Sequence, residues 1–152
     1  MARIHATASA VVPAPPDVVY DLIADYRDGH PRILPRPPFG ALTVEEGGVG
    51  TGTVIRFTMR AAGQTQTVRA RITEPERGRV LAETSLDNGA VTTFTVDPED
   101  DGTRVTITTE YEQPGPRGAI ERLLVPPMLR KVYVEELRLL AQVAAERAEL
   151  AG

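Results

Sequence analysis

The chain has 152 residues with a net charge of −4, 41% hydrophobic and 25% charged residues, and no cysteine. This length and composition are typical of one globular domain, which we expect to span residues 1–152. The negative charge argues against a nucleic-acid partner bound through phosphate contacts, and the absence of cysteine excludes disulfides, thiolate metal sites and cysteine nucleophiles.

The first 34 residues predict a strand followed by two short helices. Residues 3–12 alternate between apolar and polar side chains, which is the pattern of a strand. Pro15 and Pro16 end the strand and favour the start of a helix. Apolar residues recur at helical spacing at Val19, Leu22, Ile23 and Tyr26, so one stripe of this helix is predicted to be buried. The helix is predicted to end at Asp28-Gly29. One further turn is expected over residues 30–34.

From residue 39 onward, turn residues separate alternating runs at regular intervals. Asn88-Gly89 is the strongest hairpin signal, because both residues tolerate positive φ angles. No helix signal interrupts the runs, so they predict an antiparallel meander rather than a βαβ fold. The predicted strands are 40–46, 52–61, 64–74, 79–86, 90–97 and 103–112.

The same alternation predicts which side chains point inward. The inward set includes Ile55, Phe57, Met59, Thr92, Phe94, Val105, Ile107, Thr109 and Tyr111. The outer face is rich in arginine and threonine, and we interpret its arginines as a solvated surface. Glu83 and Glu110 are expected on this outer face as cross-strand partners.

The chain after Pro114 is predicted to be helical. An apolar stripe begins at Ile120, is broken or kinked at Pro126-Pro127, and resumes from Leu129 to Ala144. The helix from 127 to about 149 would be roughly 34 Å long, so it must lie along the sheet. The sequence therefore predicts an α+β fold, in which a curved antiparallel sheet of six to seven strands wraps around one long C-terminal helix.

Short motifs along nearly the whole chain follow a family pattern. They are residues 12–20, residues 26–35, Gly50-Thr51-Gly52 with Arg56-Phe57, Glu74-Pro75 with Arg79, and residues 102–106. Together they resemble the START-like (SRPBCC) superfamily, which has the helix-grip fold of plant pollen allergens, and within it the bacterial polyketide cyclase/dehydrase branch. Ile33 departs from this pattern, in which an aromatic residue is common.

The resemblance implies an apolar cavity between the sheet and the long helix, which holds a hydrophobic small molecule without a cofactor. It also implies access past residues 61–64, 87–89 and 30–39, because such loops act as gate and latch in the superfamily. Members include aromatase/cyclases, dehydratases and lipid carriers, so the fold alone defines no reaction.

Most motifs that carry other chemistry are missing from the sequence. His5 and His30 lie on different elements without metal-binding spacing, so no metal site is predicted. The acidic residues 97–102 lack the glutamate of a calcium loop, and the glycine-rich residues 47–52 precede a strand rather than a phosphate-binding helix. Lys131, the only lysine, is expected in solvent.

No apolar run approaches the roughly 20 residues of a membrane span and no signal core follows Met1, so we expect a cytoplasmic protein.

Glu136 is the first candidate for proton transfer. It lies on or beside the apolar stripe of the long helix, where burial without a partner would raise its pKa. The alternative is a residue at the edge of the stripe that reaches solvent or an arginine. Tyr111 and Tyr133 follow as hydroxyls inside the cavity, with core packing as the alternative. His30 comes last, with a surface or helix-terminal position as its alternative.

The residues predicted to bind the ligand are Ile55, Phe57, Met59, Thr92, Phe94, Thr109, Tyr111, Met128, Val132, Tyr133 and Glu136. Three functions stay open at this point. The first is an enzyme that cyclises or dehydrates an aromatic or polyketide-like molecule without a cofactor. The second is a non-catalytic carrier or sequestering protein for lipid, quinone or sterol-like ligands, and the third is a protein-interaction module.

Overall fold

Seven strands and three helical segments follow each other in the computed structural model, which describes residues 2–61 and 63–151. The strands are β1 (Ala2–Val12), β2 (Phe39–Glu46), β3 (Val54–Ala61), β4 (Gln64–Glu76), β5 (Val80–Ser85), β6 (Val91–Glu99) and β7 (Gly102–Gln113). The helical segments are α1 (Pro16–Ala24), a 3₁₀ helix (His30–Ile33) and α2 (Gly115–Ala151). The predicted α+β fold is confirmed, and every strand begins and ends within two residues of its predicted bounds.

One antiparallel sheet contains all seven strands in the order β1-β7-β6-β5-β4-β3-β2. Strands β2 to β7 form the predicted meander, and β1 pairs along β7, with Ala6 opposite Thr109. The predicted alternation is present, since Val105 and Ile107 are fully buried while Arg104 is not. Inward side chains of the sheet join Leu137 and Leu140 of α2 in the core.

Helix α1 ends earlier than predicted, at Ala24 rather than at Gly29. The reason is that the next residues pair with the glycine-rich loop between β2 and β3. The backbone N–H of Tyr26 donates to the carbonyl of Gly48 at 2.8 Å, and Asp25 forms a β-bridge with Val49. Tyr26 is fully buried, as the apolar stripe predicts, but it lies beyond the end of the helix.

Helix α2 is longer than predicted, because Pro126 and Pro127 do not end it. Its 37 residues correspond to a length of about 55 Å. A proline inside a helix removes one backbone hydrogen bond, and α2 continues through both positions. The apolar side chains before the prolines are exposed, at Ile120, Leu123 and Leu124, whereas those after them pack against β1 and the 3₁₀ helix. Among the described residues, no helix is long and apolar enough to span a bilayer.

The carboxylate of Glu74 on β4 ties the glycine-rich loop to α1. It accepts hydrogen bonds from the Thr51 backbone N–H at 2.8 Å, from the Thr51 hydroxyl at 3.0 Å and from the Tyr20 hydroxyl at 2.7 Å. Burial acts to raise the pKa of Glu74, but these hydrogen bonds and Arg77 outweigh burial, so the pKa lies below its ordinary value. The loop thus has a structural partner, and β3 follows it, as predicted.

We expect Glu74→Gln to lower the free energy of unfolding by about 2 kcal/mol at pH 7, because it weakens charge-assisted hydrogen bonds from the buried Tyr20 and from the exposed Thr51. A carboxylate with a lowered pKa stabilises the fold above its ordinary pKa of about 4.5, and this contribution is lost as pH falls through the lowered value. Urea unfolding should therefore show the difference from wild type shrinking below about pH 4.5. Glu76→Gln, on an exposed residue of the same strand, is the control, and an equal loss there would contradict the role of Glu74.

Candidate functional site

A cavity of about 610 Å³ lies between the concave face of the sheet and α2. Its wall is mainly apolar and combines side chains from β3, β4 and β6 with side chains of α2. The inner end is buried, with Phe94 at 2% and Tyr133 at 5% exposure. The mouth lies beside the first turns of α2, where Ile120 and Leu124 are more than half exposed.

Ten of the eleven residues predicted to bind the ligand line this cavity. They are Ile55, Phe57, Met59, Thr92, Phe94, Thr109, Tyr111, Met128, Tyr133 and Glu136. Val132 is the exception, because it packs against the core without lining the cavity. Val132 lies four residues before Glu136, on the same side of α2, and its side chain packs against the core there.

The carboxyl group of Glu136 is buried and has no hydrogen-bond donor among the described residues. Glu136 is 2% exposed, and no buried side-chain oxygen or nitrogen of these residues is both fully enclosed and unpaired. Its oxygens therefore border the cavity rather than the packed core. Burial, and then the negative charge of Glu83, raise the pKa of Glu136 well above its ordinary value. Glu135 points to solvent and pairs with Arg138, as expected for the opposite side of the helix.

Glu83 lies inside the cavity and not on the outer face, so its predicted position is wrong. The register pairs Glu83 with Thr92 and Leu81 with Phe94, which places all four side chains on the concave side. Leu81 and its neighbour Ala82 are both buried, so the short strand β5 has no clean alternation from which the face could be predicted.

Tyr26 and His30 surround the carboxyl of Glu83. The Tyr26 hydroxyl donates to Oε2 of Glu83 at 2.6 Å, and Nε2 of His30 lies 3.6 Å from the same oxygen. Nδ1 of His30 is 2.7 Å from the carbonyl oxygen of Ile23, so this nitrogen carries the proton. Burial lowers the pKa of His30, and Glu83 opposes this only in part, which favours the neutral ring. His30 is therefore a buried cavity residue, and Tyr26 is a contact that the sequence did not indicate.

Three hydroxyl groups form a chain beside these acids. The Tyr133 hydroxyl is hydrogen-bonded to the hydroxyl of Thr109, which lies 2.7 Å from that of Thr92. Burial raises the pKa of Tyr133, so its hydroxyl stays protonated. Three of the four catalytic candidates, Glu136, Tyr133 and His30, are thus assembled at the inner end.

Tyr111, the fourth candidate, lies apart from them towards the mouth. Its hydroxyl donates to Glu121 at 2.7 Å, and Arg117 pairs with the same carboxylate at 2.7 Å. Burial and Glu121 raise the pKa of Tyr111. These contacts connect the first turns of α2 to β7. The hydroxyl of Tyr111 is therefore directed to Glu121 and not to Glu136.

The predicted entrance agrees in part with the residues at the mouth. Gln64, Asp87, Asn88, Leu34 and Phe39 line the cavity and belong to the three segments expected to form it. Ala62, in the first of these segments, lies outside the described residues. The exposed start of α2 also borders the mouth, which was not expected because the proline pair predicts a break between it and the long helix.

The inner end can exchange protons without a metal. Within residues 2–61 and 63–151, no group of three or more His, Asp or Glu side chains could hold a metal ion. Lys131 is exposed, as predicted. A carboxyl group whose pKa is raised by burial can take up and return a proton, and the nearby hydroxyls can donate to a carbonyl oxygen.

Comparisons with known proteins agree with this architecture. Residues 3–145 match the family described as "Polyketide cyclase / dehydrase and lipid transport". The chain is 26% identical to the KanY protein (ms6282), with a TM-score of 0.83 over 95% of this chain and 99% of that one. No curated protein matches the sequence.

Two further solved structures share the fold. The protein TTHA0849 from Thermus thermophilus is 24% identical, with a TM-score of 0.78 over 95% of this chain and 99% of that one. The Zhui aromatase/cyclase from Streptomyces sp. R1128 is 23% identical, with a TM-score of 0.78 over 99% and 98% of the two chains. At this level of identity the likeness concerns the fold.

The raised pKa of Glu136 predicts a pH dependence of stability. Above its ordinary pKa of about 4.5 the unfolded chain releases a proton that the folded protein retains, so the free energy of unfolding falls as pH rises towards the raised pKa. The fall is at most about 1.4 kcal/mol per pH unit. Glu136→Gln should remove this fall, and urea unfolding at several pH values from about 4.5 to about 8.5 measures it. Glu135→Gln should keep the wild-type profile, and parallel profiles for wild type and Glu136→Gln would show that Glu136 is not buried as described.

Proposed function

The chain belongs to the polyketide cyclase/dehydrase and lipid transport family, and we propose that it binds a hydrophobic, aromatic or polyketide-like molecule in the cavity and dehydrates or cyclises it without a cofactor. The observation that carries this proposal is the carboxyl of Glu136, which is buried at the inner end of an apolar cavity and has no donor within the part of the chain that the structure describes. A buried acid with a raised pKa that borders a cavity is a candidate general acid or base.

The size and lining of the cavity support binding of a hydrophobic molecule. Ligand pockets usually measure about 300–1,000 Å³ and combine an apolar wall with a few polar groups. The cavity of about 610 Å³ has this character, since Ile55, Phe57 and Met59 form part of the wall while the polar groups gather at the inner end. Burial of apolar ligand surface then supplies affinity, and the polar groups orient the bound molecule.

The proposed reaction needs one group that moves a proton from carbon to oxygen. In dehydration of a β-hydroxy ketone, a base removes the proton next to the carbonyl, an acid protonates the leaving hydroxyl, and water departs as the double bond forms. The Glu136 carboxylate accepts the first proton and can return it to the hydroxyl, so the residue ends unchanged. The hydroxyls of Tyr133, Thr109 and Thr92 are the donors available to the carbonyl oxygen.

A non-catalytic carrier for lipid, quinone or sterol-like molecules is the second candidate, because the family description includes lipid transport and most of the wall is apolar. The carrier and the enzyme share binding and differ in turnover. Compartment and oligomeric state are independent of this choice. An interaction module is less well supported, since such a module needs no internal cavity and the structure has one.

We expect a polycyclic aromatic or polyketide-like ligand to raise the melting temperature. At one hundred times its Kd, a ligand adds about 2.7 kcal/mol, or roughly 5–10 °C for a domain of this size. A thermal-shift panel of aromatic polyketides, quinones, sterols and fatty acids measures this. Stabilisation by no member of the panel would contradict binding in the cavity.

With a β-hydroxy ketone selected from that panel, Glu136→Gln should lower kcat by a factor on the order of 10²–10⁴ while ligand binding is retained. Glu135→Gln, one residue away and exposed, is the matched control and should keep full turnover. Chromatographic detection of the dehydrated product measures the rate. Binding with no turnover by the wild-type protein would favour the carrier, and full turnover by Glu136→Gln would exclude Glu136 as the proton-transfer group.

A further inference from the structure

The inner end of the cavity carries acidic groups without a matching cation. We use the name inner acidic pocket for Glu83, Glu136, His30, Phe94 and Tyr133, which all line the cavity; Glu83 is 13% exposed and the other four are almost fully buried. His30 is the only basic residue among them, and burial lowers its pKa, so its ring adds little positive charge at neutral pH. The pocket therefore has a negative electrostatic potential inside an apolar wall.

The one arginine that lines the cavity does not offset this charge. Arg117 is at the mouth, where it is 71% exposed and already paired with Glu121. Asp87, also near the mouth, adds a further acid to the lining. Within the described residues, the lining thus has four acidic side chains, Glu83, Asp87, Glu121 and Glu136, and one arginine. A fatty acid, a phosphate ester or another anion would meet repulsion along this cavity.

The donors at the inner end are used by only one of the two acids. Tyr26 donates to Glu83, and His30 lies near the same oxygen, whereas Glu136 has no donor among the described residues. A molecule that displaces water from this end must therefore bring a polar group that pairs with Glu136, because an unpaired buried carboxyl is costly.

Aromatic rings stand next to these carboxyls. The ring of His30 stacks on Tyr26 with centroids 4.3 Å apart and makes a T-shaped contact with the ring of Phe94, with centroids 5.4 Å apart. Tyr133 borders the same end of the cavity from α2. Aromatic faces attract cations, and the combination of aromatic rings with carboxylates is a typical environment for a bound ammonium group.

Resting on the proposed binding function, we propose that the ligand is a hydrophobic amine whose protonated nitrogen enters first and is held between Glu83 and Glu136 in the inner acidic pocket. The apolar part of the molecule then occupies the wider region lined by Phe57, Met59 and Met128. Two carboxyl groups can satisfy two of the donors of a primary ammonium, and Tyr133 and Phe94 offer ring surface to the same charge.

Binding of a cation should also change the protonation of Glu136. The groups that face it are Glu83 from β5, Tyr133 from α2 itself, Tyr26 and His30 from the segment after α1, and the hydroxyls of Thr92 and Thr109 from β6 and β7. Burial and Glu83 shift Glu136 towards its protonated form in the empty cavity, whereas an ammonium beside it favours the carboxylate. An amine that binds as a cation therefore releases a proton from the protein, and a neutral molecule of the same shape releases none.

The test compares three probes that share one ring system: 2-naphthylmethylamine, 2-naphthylmethanol and 2-naphthoate. Isothermal titration calorimetry at pH 7 in two buffers of different ionisation enthalpy gives both affinity and proton release. We expect the amine to bind at least about tenfold tighter than the alcohol, because a desolvated cation gains from the carboxyls and rings. The naphthoate should bind more weakly than the alcohol, and only the amine should release a proton.

The variants Glu136→Gln and Glu83→Gln should each reduce the preference for the amine over the alcohol, while the affinity for the alcohol stays within about twofold. Glu135→Gln keeps the full preference as the matched control. Because glutamine at position 83 can still accept from Tyr26, this variant remains informative if the other one folds poorly.

The outcomes separate this inference from the proposed function. Equal binding of amine and alcohol, or tighter binding of the naphthoate, overturns the amine preference and leaves the hydrophobic cavity as a binding site. The amine could also bind more tightly than the alcohol without proton release, with the same preference in Glu136→Gln and Glu83→Gln. That result would place the ammonium elsewhere and would overturn the proposed site. Failure of all three probes to bind overturns the amine site and counts against ligand binding in the cavity as well.

Discussion

The register between neighbouring strands determines which chemical groups reach the cavity, because a shift of one residue would turn each side chain to the opposite face of the sheet. Glu83 is opposite Thr92, and Thr92 is opposite Thr109, so one carboxyl and two hydroxyls lie in a row across β5, β6 and β7. Helix α2 adds Tyr133 and Glu136, three residues apart on one side of the helix. The polar inner end of an otherwise apolar cavity thus results from strand pairing and one turn of helix.

The acids at this end oppose the stability of the fold. Burial disfavours a charged carboxyl, and the charge of Glu83 makes ionisation of Glu136 more difficult still. Tyr26 donates a hydrogen bond to Glu83, whereas Glu136 has no donor among the described residues. An apolar side chain at position 136 would avoid this cost. A group that destabilises the empty protein and borders a cavity is most simply explained by an interaction with the molecule that fills it.

The sequence predicts the strands, the inward faces and the long helix well, because alternation and helical spacing are local patterns that burial imposes. Glu83 could not be placed in this way, since the adjacent residues Leu81 and Ala82 are both buried and β5 is short. The contact of Tyr26 with Glu83 joins residues 57 positions apart, which no local pattern reveals. For Glu136 the sequence left two alternatives, and the structure selects burial. The length of α2 was underestimated because a proline pair usually ends a helix.

The difference between the two ends of the cavity restricts what can bind there. At the mouth, Arg117 and Tyr111 both contact Glu121, so these three polar side chains are paired. The apolar side chains of Ile120 and Leu124 beside them are exposed. At the inner end, Glu136 has no such pairing among the described residues. A wholly apolar molecule that filled the cavity would remove water from this carboxyl and give nothing in return, which costs free energy of binding. Under our proposal, a molecule that carries a donor at its leading end avoids this cost, so the inner end would select both the orientation of the ligand and its chemical class.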